Sequence, residues 1–371
     1  MKQEAQRGLR GFLVLALTAV AMSLLFVACG SSDSDSSSES TAGGTETSAS
    51  GSGNASIDLG DQTIEVAEGT PKIGFFGFGL SAYELAYADE IEKMNEEGSD
   101  VTFVEAKFDP AVQLKQLQTA LTTDEYDAWI LEPVDAEGVC QIASKQAPEA
   151  GIPVSIVVNP TCDRALEPWD EAVWAPGTLN MVSSVANVTF FTNVLNAQKE
   201  VLEIGPDTKV GVINGPDIVA QANAYKAALE NAGIEPVEIA KGDYTAPTAQ
   251  KLTQAMLSRH PDIEVLLNGF EGATPGMIAA LKQAGKGPGE VKVGDIGGSK
   301  EISIPNLESG WLTVTAAEGP RTAARQAIEE VERAFAGEQG GRLFSADPPG
   351  ATLEKPLLVT KENAKTFKPE F

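Results

Sequence analysis

Two successive series of short apolar runs, each run followed by a segment of helical spacing, constrain this chain more than any other feature. The first series opens at KIGFFGFGLSAYELAYADEIEKM, Lys72 to Met94. Lys72 to Phe76 reads as a buried strand, Gly77 to Ser81 as a glycine-punctuated turn, and Tyr83 onward as a helix. The pattern puts Ala82, Leu85, Ala86, Ala88 and Ile91 on the packed face of that helix and leaves Glu84, Asp89, Glu90, Glu92 and Lys93 in water. The series continues through VTFVEA, a helix opened by Asp109-Pro110 and carrying Leu114, Leu117 and Leu121, then YDAWIL, a helix with Val139, Ile142 and Ala143, and IPVSIVV, ending at Asn159. A helix from about Asn187 to Glu203 leads into the second series: TKVGVING, QANAYKAALENAG, IEPVEIAKG, LTQAMLSR, IEVLLNG, MIAALKQAG and VKVGDIGG. In it Gly233 and Gly285 sit where helices stop, and Thr245 with Pro247 supplies a cap and first turn. Alternation of this kind implies parallel sheets covered on both faces and right-handed crossovers. The expected fold class is therefore α/β, with two Rossmann-like lobes and a cleft between them faced by the carboxyl ends of strands, where such folds bind ligands.

The first turn also matches G-x-G-x-x-A at Gly77, Gly79 and Ala82, with Glu105 closing the next strand. In a dinucleotide site the glycines admit a pyrophosphate and an acid about 20 residues on holds the ribose. Glu105 stands too far along for that role, and a tight turn without phosphate is the alternative. No cofactor is expected.

The amino terminus carries an address. Lys2, Arg7 and Arg10 precede an apolar run from Gly11 to Ala28, followed by Cys29 and GSSDSDSSSES. A charged start, an apolar core, a small residue before the cleavage point and a cysteine directly after it describe a bacterial lipoprotein signal over residues 1–28, with Cys29 as lipid acceptor. Phe26 stands where that pattern usually has leucine. Residues 29–69 are expected to form a flexible tether, since Ser31 to Ser56 is serine, threonine, glycine and acid with almost no apolar side chains.

Of three cysteines, two remain after Cys29, and in an oxidising compartment Cys140 and Cys162 are most simply a disulfide, with two buried thiols as the alternative. Metal binding lacks ligands, because the only histidine, His260, lies in a Pro-Asp turn. A formal charge of −26, from 53 acidic against 27 basic residues, repels phosphate backbones and argues against nucleic acid as a partner. Thr161 to Thr178 breaks the rhythm; its Trp169 and Trp174 would either stack on a ligand or cover a sheet edge.

Four stretches, in this order behind a lipoprotein leader, resemble a known family: AWILEPVDAEGV at Ala128, SRHPDIEVLLNG at Ser258, AALKQAGKG at Ala279 and LLVTKENA at Leu357. From Pro71 to Lys365 the chain is similar to the type I periplasmic solute-binding proteins, the ribose- and galactose-binding group that feeds ABC importers. The resemblance implies three hinge crossovers, near Ala186, Glu318 and Ser345. Lobes would then comprise 70–186 with 319–345, and 187–318 with 346–371. It also implies a ligand set: Phe78, Ser81, Tyr83 and Glu84 from the first turn, Asn159 beside Val158, Gln221 and Asn223, Phe270 and Glu271, Asp295, and Glu318 at a hinge. Sugar binders of the family usually carry Asp-Arg in place of Val158-Asn159, an arginine near Gln221, and Asn-Asp in place of Phe270-Glu271, so this cleft lacks the usual arginines and keeps carboxylates.

Carboxylates and amides can pair with neighbouring hydroxyls, and aromatic faces cover a sugar ring, so a sugar or polyol fits; a ligand carrying an amine would also suit acids without an arginine. Both Glu271 and Glu318 are expected to be hydrated in an open form. The resemblance implies a monomeric, membrane-anchored receptor outside the cytoplasm that hands a small polar solute to an ABC permease. A receptor presenting the solute to a membrane sensor is the alternative. An enzyme finds neither a usable histidine nor a G-x-S-x-G motif.

Overall fold

A computed structural model describes residues 53–162, 164, 172–183 and 187–371. The leader, Cys29, Trp169 and the crossover expected near Ala186 lie outside the described residues.

The described chain begins earlier than a tether to residue 69 allows. Strands β1 (Asn54–Asp58) and β2 (Thr63–Ala67) pair antiparallel, with Ala55 opposite Val66 and Ile57 opposite Ile64. Both alternate exposed and buried, and Ile57, Leu59, Ile64 and Val66 join the core beneath the first sheet. The expected tether is therefore corrected over 54–67. Its serine-rich beginning masks a period-two pattern, SIDLGDQTIEV, that buries one face of a hairpin.

The first βαβ series follows as β3 (Lys72–Gly77), α1 (Ala82–Glu97), β4 (Asp100–Glu105), α2 (Pro110–Thr123) and β5 (Ala128–Leu131). Next come a π-helical turn, Ile142–Gln146, running into α3 (Ala147–Glu149), then β6 (Val154–Val157) and β7 (Asn180–Val182). The second series is α4 (Val188–Leu202), β8 (Val210–Asn214), α5 (Ala220–Asn231), β9 (Glu238–Lys241), α6 (Ala246–Arg259), β10 (Val265–Asn268), α7 (Thr274–Gln283), β11 (Lys292–Gly297), α8 (Ser303–Ser309) and β12 (Val314–Ala317). Then α9 (Pro320–Phe335) and β13 (Leu343–Phe344) return to the first lobe, and β14 (Leu358–Thr360) belongs to the second.

Two six-stranded sheets result, ordered β13-β7-β6-β5-β3-β4 and β14-β12-β11-β10-β8-β9. Every pairing is parallel except β14 against β12. Central strands such as β5, AWIL, are buried throughout, as strands covered on both faces must be. Among the described residues the chain passes between the sheets after β12, between Ala317 and Pro320, and after β13, between Phe344 and Leu358.

Local signals explain the helix starts. Asp109 caps α2 by accepting from Ala111 N at 2.8 Å ahead of Pro110, and Asn187 caps α4 by accepting from Phe190 N at 2.6 Å. Thr245 precedes α6 but gives its hydroxyl to Asp243 instead of capping. The packed face of α1 is rotated from the expected one. Tyr83, Ala86, Tyr87, Ile91 and Met94 are buried while Leu85 is 49% exposed. Aromatic volume decides this: Tyr87 packs on Phe75 at 5.0 Å, and the opposite shoulder is covered by α9, whose Arg325 pairs with the buried Glu90. The Cys140 and Cys162 sulfurs are bonded, with Cα atoms 4.8 Å apart. Trp174 does not reach the cleft; its ring lies 4.5 Å from the Arg342 guanidinium and its indole N–H donates to Thr178 O, beside the β1–β2 hairpin.

Candidate solute-binding site

The carboxyl ends of both sheets meet around one cavity of about 190 Å³. From the first lobe come Phe78, Tyr83, Glu84, Phe108, Glu132 and Val134. The second lobe supplies Ile218, Gln221, Asp243, Tyr244 and Phe270, with Val158 and Glu318 completing the wall. The lobes touch beside it. Gln221 N donates to Asn159 Oδ1 at 3.2 Å, and the Tyr83 and Phe270 rings meet edge to face at 6.4 Å.

Each wall residue is set by its element. Ser81 accepts from Tyr83 N and Glu84 accepts from Ser81 N at 3.1 Å, so the two side chains cap α1 reciprocally and hold Glu84 at its first turn. Glu132 follows β5 and accepts from Phe78 N at 3.2 Å, which ties the first turn to the next strand end. Gly77 and Gly79 give close approach to phenylalanine rings, not to a phosphate: an added Cβ would stand 2.7 Å from Phe103 and 2.2 Å from Phe108. The dinucleotide reading of this turn thus fails on packing. Three wall residues, Phe108, Val158 and Tyr244, have φ of 56°, 61° and 62°, a costly conformation for bulky side chains and one that concentrates at ligand sites.

The electrostatics are one-signed. Glu84, Glu132 and Glu318 are buried, and among the described residues no lysine, arginine or histidine lines the cavity. Burial pushes the Glu318 carboxyl well above the usual range, and the charges of Glu271, Asp295 and Glu84 push it further. Burial, then the charge of Glu84, raises Glu132 in the same way. Glu84 is raised by burial against the opposing hydrogen bonds from Ser81. Burial likewise raises the Tyr83 and Tyr244 phenols, so both stay protonated donors. Glu318 Oε2 is buried without a hydrogen-bond partner.

Of the residues expected from sequence, Phe78, Tyr83, Glu84, Gln221, Phe270 and Glu318 line the cavity. Ser81 is spent on the helix cap, and Asn159 bridges the lobes beside the wall. Asn223 faces away, its amide donating to Asp217 O at 2.8 Å. Glu271 lies behind the wall, where one oxygen accepts from Gly298 N at 3.1 Å, Ser299 N at 3.0 Å and Ser303 Oγ at 2.6 Å. Asp295 is fully buried on β11, bonded by the Thr274 hydroxyl and pushed up to about 7 by burial and the charge of Glu271. In this arrangement Glu271 and Glu318 are 1% and 3% exposed, so neither carboxylate is hydrated here. Missed from sequence were Phe108, Glu132, Val134, Ile218, Asp243 and Tyr244; Glu132, directly after the apolar AWIL run, was legible as a strand-end residue.

Residues 75–339 match the family described as Periplasmic binding protein domain. The chain belongs to that family. It is a binding protein, not an enzyme, as are its relatives. One of them, the D-ribose/D-allose-binding protein of Pseudomonas aeruginosa, is 25% identical over 261 residues, 69% of this chain and 75% of its own. Among solved structures, a periplasmic solute-binding protein from Actinobacillus succinogenes with bound D-allose superposes with a TM-score of 0.68 at 19% identity, covering 80% of this chain and 100% of that one. The Caulobacter myo-inositol-binding protein bound to myo-inositol gives a TM-score of 0.66 at 17% identity, covering 79% and 94%. For this periplasmic binding protein the fold places the cavity where the two strand-end surfaces meet.

Proposed function

We propose that this protein is the extracytoplasmic solute-binding component of an ABC importer, enclosing a sugar, polyol or related small polar solute between its lobes and delivering it to the membrane permease. The observation that carries the reading is the interlobe cavity, where buried acceptors on Glu84, Glu132 and Glu318 face aromatic walls from Tyr83 and Phe270. Carboxylates take hydroxyl donors in pairs, and ring faces cover the apolar face of a sugar. Size agrees: a cavity of roughly 150 Å³ holds one benzene ring, so about 190 Å³ suits a single substituted ring. Relatives named for ribose, allose and inositol support the solute class. Lipidation at Cys29 after cleavage of residues 1–28 belongs to the same reading, as does the oxidised pair Cys140–Cys162.

Calorimetry and thermal shift with D-ribose, D-allose, myo-inositol and their close analogues test it. Saturable one-to-one binding with a raised melting temperature is the expected result, and no response to any ring-sized polar solute overturns it. Mass spectrometry of the membrane fraction should find Cys29 carrying a diacylglyceryl thioether; a freely soluble, unmodified chain would remove the anchor.

A further inference from the structure

We infer that the solute this cavity is built for carries a protonated amine on its ring, seated against Glu318 and the facing Glu84 and Glu132. This deepens the solute-binding reading and rests on it. Three observations carry it. First, the cavity wall combines these three glutamates and Asp243 with, among the described residues, no lysine, arginine or histidine to balance them. Hydroxyl groups of a neutral polyol would satisfy lone pairs but bring no charge to pair with a buried carboxylate, whereas an ammonium would bring one. Second, Glu318 is 97% shielded, and its Oε2 is buried without any donor. A fixed ammonium has three donors to give to such oxygens. Third, the wall also carries the aromatic rings of Phe78, Tyr83, Tyr244 and Phe270, and such rings attract cations as well as covering a sugar.

A metal ion is the competing occupant, and the geometry opposes it: among the described residues no three of His, Cys, Asp and Glu are grouped so as to hold one. The chain's formal charge of −26 adds long-range attraction for a cation. The other titratable groups packed around the trio are Glu271, Asp295 and the phenols of Tyr83, Tyr87 and Tyr244, and none is cationic. Burial raises all three glutamates, and neighbouring carboxylates raise Glu132 and Glu318 further, so protons compete with the amine for the site.

The test is calorimetry of the purified protein at about pH 7 with matched pairs. D-glucosamine, D-galactosamine and scyllo-inosamine are set against D-glucose, D-galactose and scyllo-inositol. An amine should bind at least about tenfold more tightly than its neutral counterpart, the usual worth of a charge-assisted hydrogen bond. Its affinity should fall on going to about pH 5, as the carboxyls take up protons. Glu318→Gln should erase about tenfold of the amine preference while its melting curve shows a folded protein, and Glu132→Gln should act in the same direction. Neutral sugars or inositol binding as well as the amines would overturn the amine inference and leave the solute-binding reading standing. Failure of both groups to bind would overturn both, and stabilisation by calcium chloride alone would replace the amine with a metal.

Discussion

Glu271 and Glu318 are both buried carboxylates of the same lobe's strand ends, and both are held above the usual carboxylate range by burial, yet they do opposite work. Glu271 is enclosed by donors from Gly298, Ser299 and Ser303, and Gly297 makes room for it, since an added Cβ there would stand 2.5 Å from its side chain. Glu318 lines the cavity, and its Oε2 is buried with no hydrogen-bond partner among the described residues. Burial alone therefore does not mark a binding carboxylate. What separates the two is whether the chain itself completes the hydrogen bonds, because a group left incomplete costs stability and is kept for something that completes it.

The largest effect should come from breaking the completed site. Glu271→Ala removes the acceptor for two backbone N–H groups and a hydroxyl, each buried, and should destabilise the ligand-free protein by about 3 kcal/mol or more. Chemical denaturation monitored by circular dichroism measures this. A loss below about 1 kcal/mol would mean that Glu271 is not the structural member of the pair.

A second effect is global. Asp295 is pushed up to about 7, and Glu84, Glu132, Glu271 and Glu318 are raised as well. A carboxyl whose folded pKa exceeds its unfolded value of about 4 binds its proton more tightly when folded, so its stabilisation is complete below that pH and is lost as pH rises through the folded pKa. The ligand-free protein should consequently be less stable at about pH 8 than at about pH 5, by on the order of 2 kcal/mol. Glu97, Glu203 and Glu362 are lowered and act in the opposite direction, but they are exposed and screened. A melting temperature that climbs from about pH 5 to about pH 8 would contradict the burial of this cluster.

Smaller, and opposite in sign to the first, is the effect of neutralising the incomplete site. Glu318→Gln removes a buried charge without removing a used acceptor at Oε2, and should raise ligand-free stability at about pH 8 by roughly 1 kcal/mol. It should also flatten the pH dependence above. Destabilisation comparable to that of Glu271→Ala would erase the distinction between the two residues.

The sequence made the repeated β-α rhythm plain because strands buried on both faces are continuous apolar runs, and caps such as Asp109 and Asn187 are local chemistry. The hairpin at Asn54–Ala67 was hidden by polar neighbours, although its alternation was present. Phe78, Tyr83, Glu84, Gln221, Phe270 and Glu318 could be placed at the cleft because strand ends and the first turn are fixed by the rhythm. Phe108, Val158 and Tyr244 are of another kind: their approach to the cavity depends on positive φ at residues that ordinarily avoid it, which tertiary packing imposes and no local pattern announces. Nor could spacing separate Glu271 from Glu318. That difference lies in Ser299 and Ser303, which reach Glu271 from the loop after β11 and the start of α8.

Asn223 gives the smallest expected effect and the sharpest check on how the cavity wall was drawn. Sequence placed it with Gln221 in the ligand set, but the two lie on different faces of α5. Gln221 faces the cavity and donates to Gly269 O, whereas Asn223 turns back to hold Asp217 O, at the base of the loop that carries Ile218 to the cavity mouth. Asn223→Ala therefore removes one partly exposed hydrogen bond, worth about 0.5–1 kcal/mol, and touches the solute only through the looseness of that loop. Affinity for whichever solute binds should change by less than about fivefold, and Gln221→Ala should cost more, because it removes a side chain that lines the cavity and its bond to Gly269 O. If Asn223→Ala were the more damaging of the two, the α5 face presented to the cavity would have to be turned, and the wall around Glu318 redrawn with it.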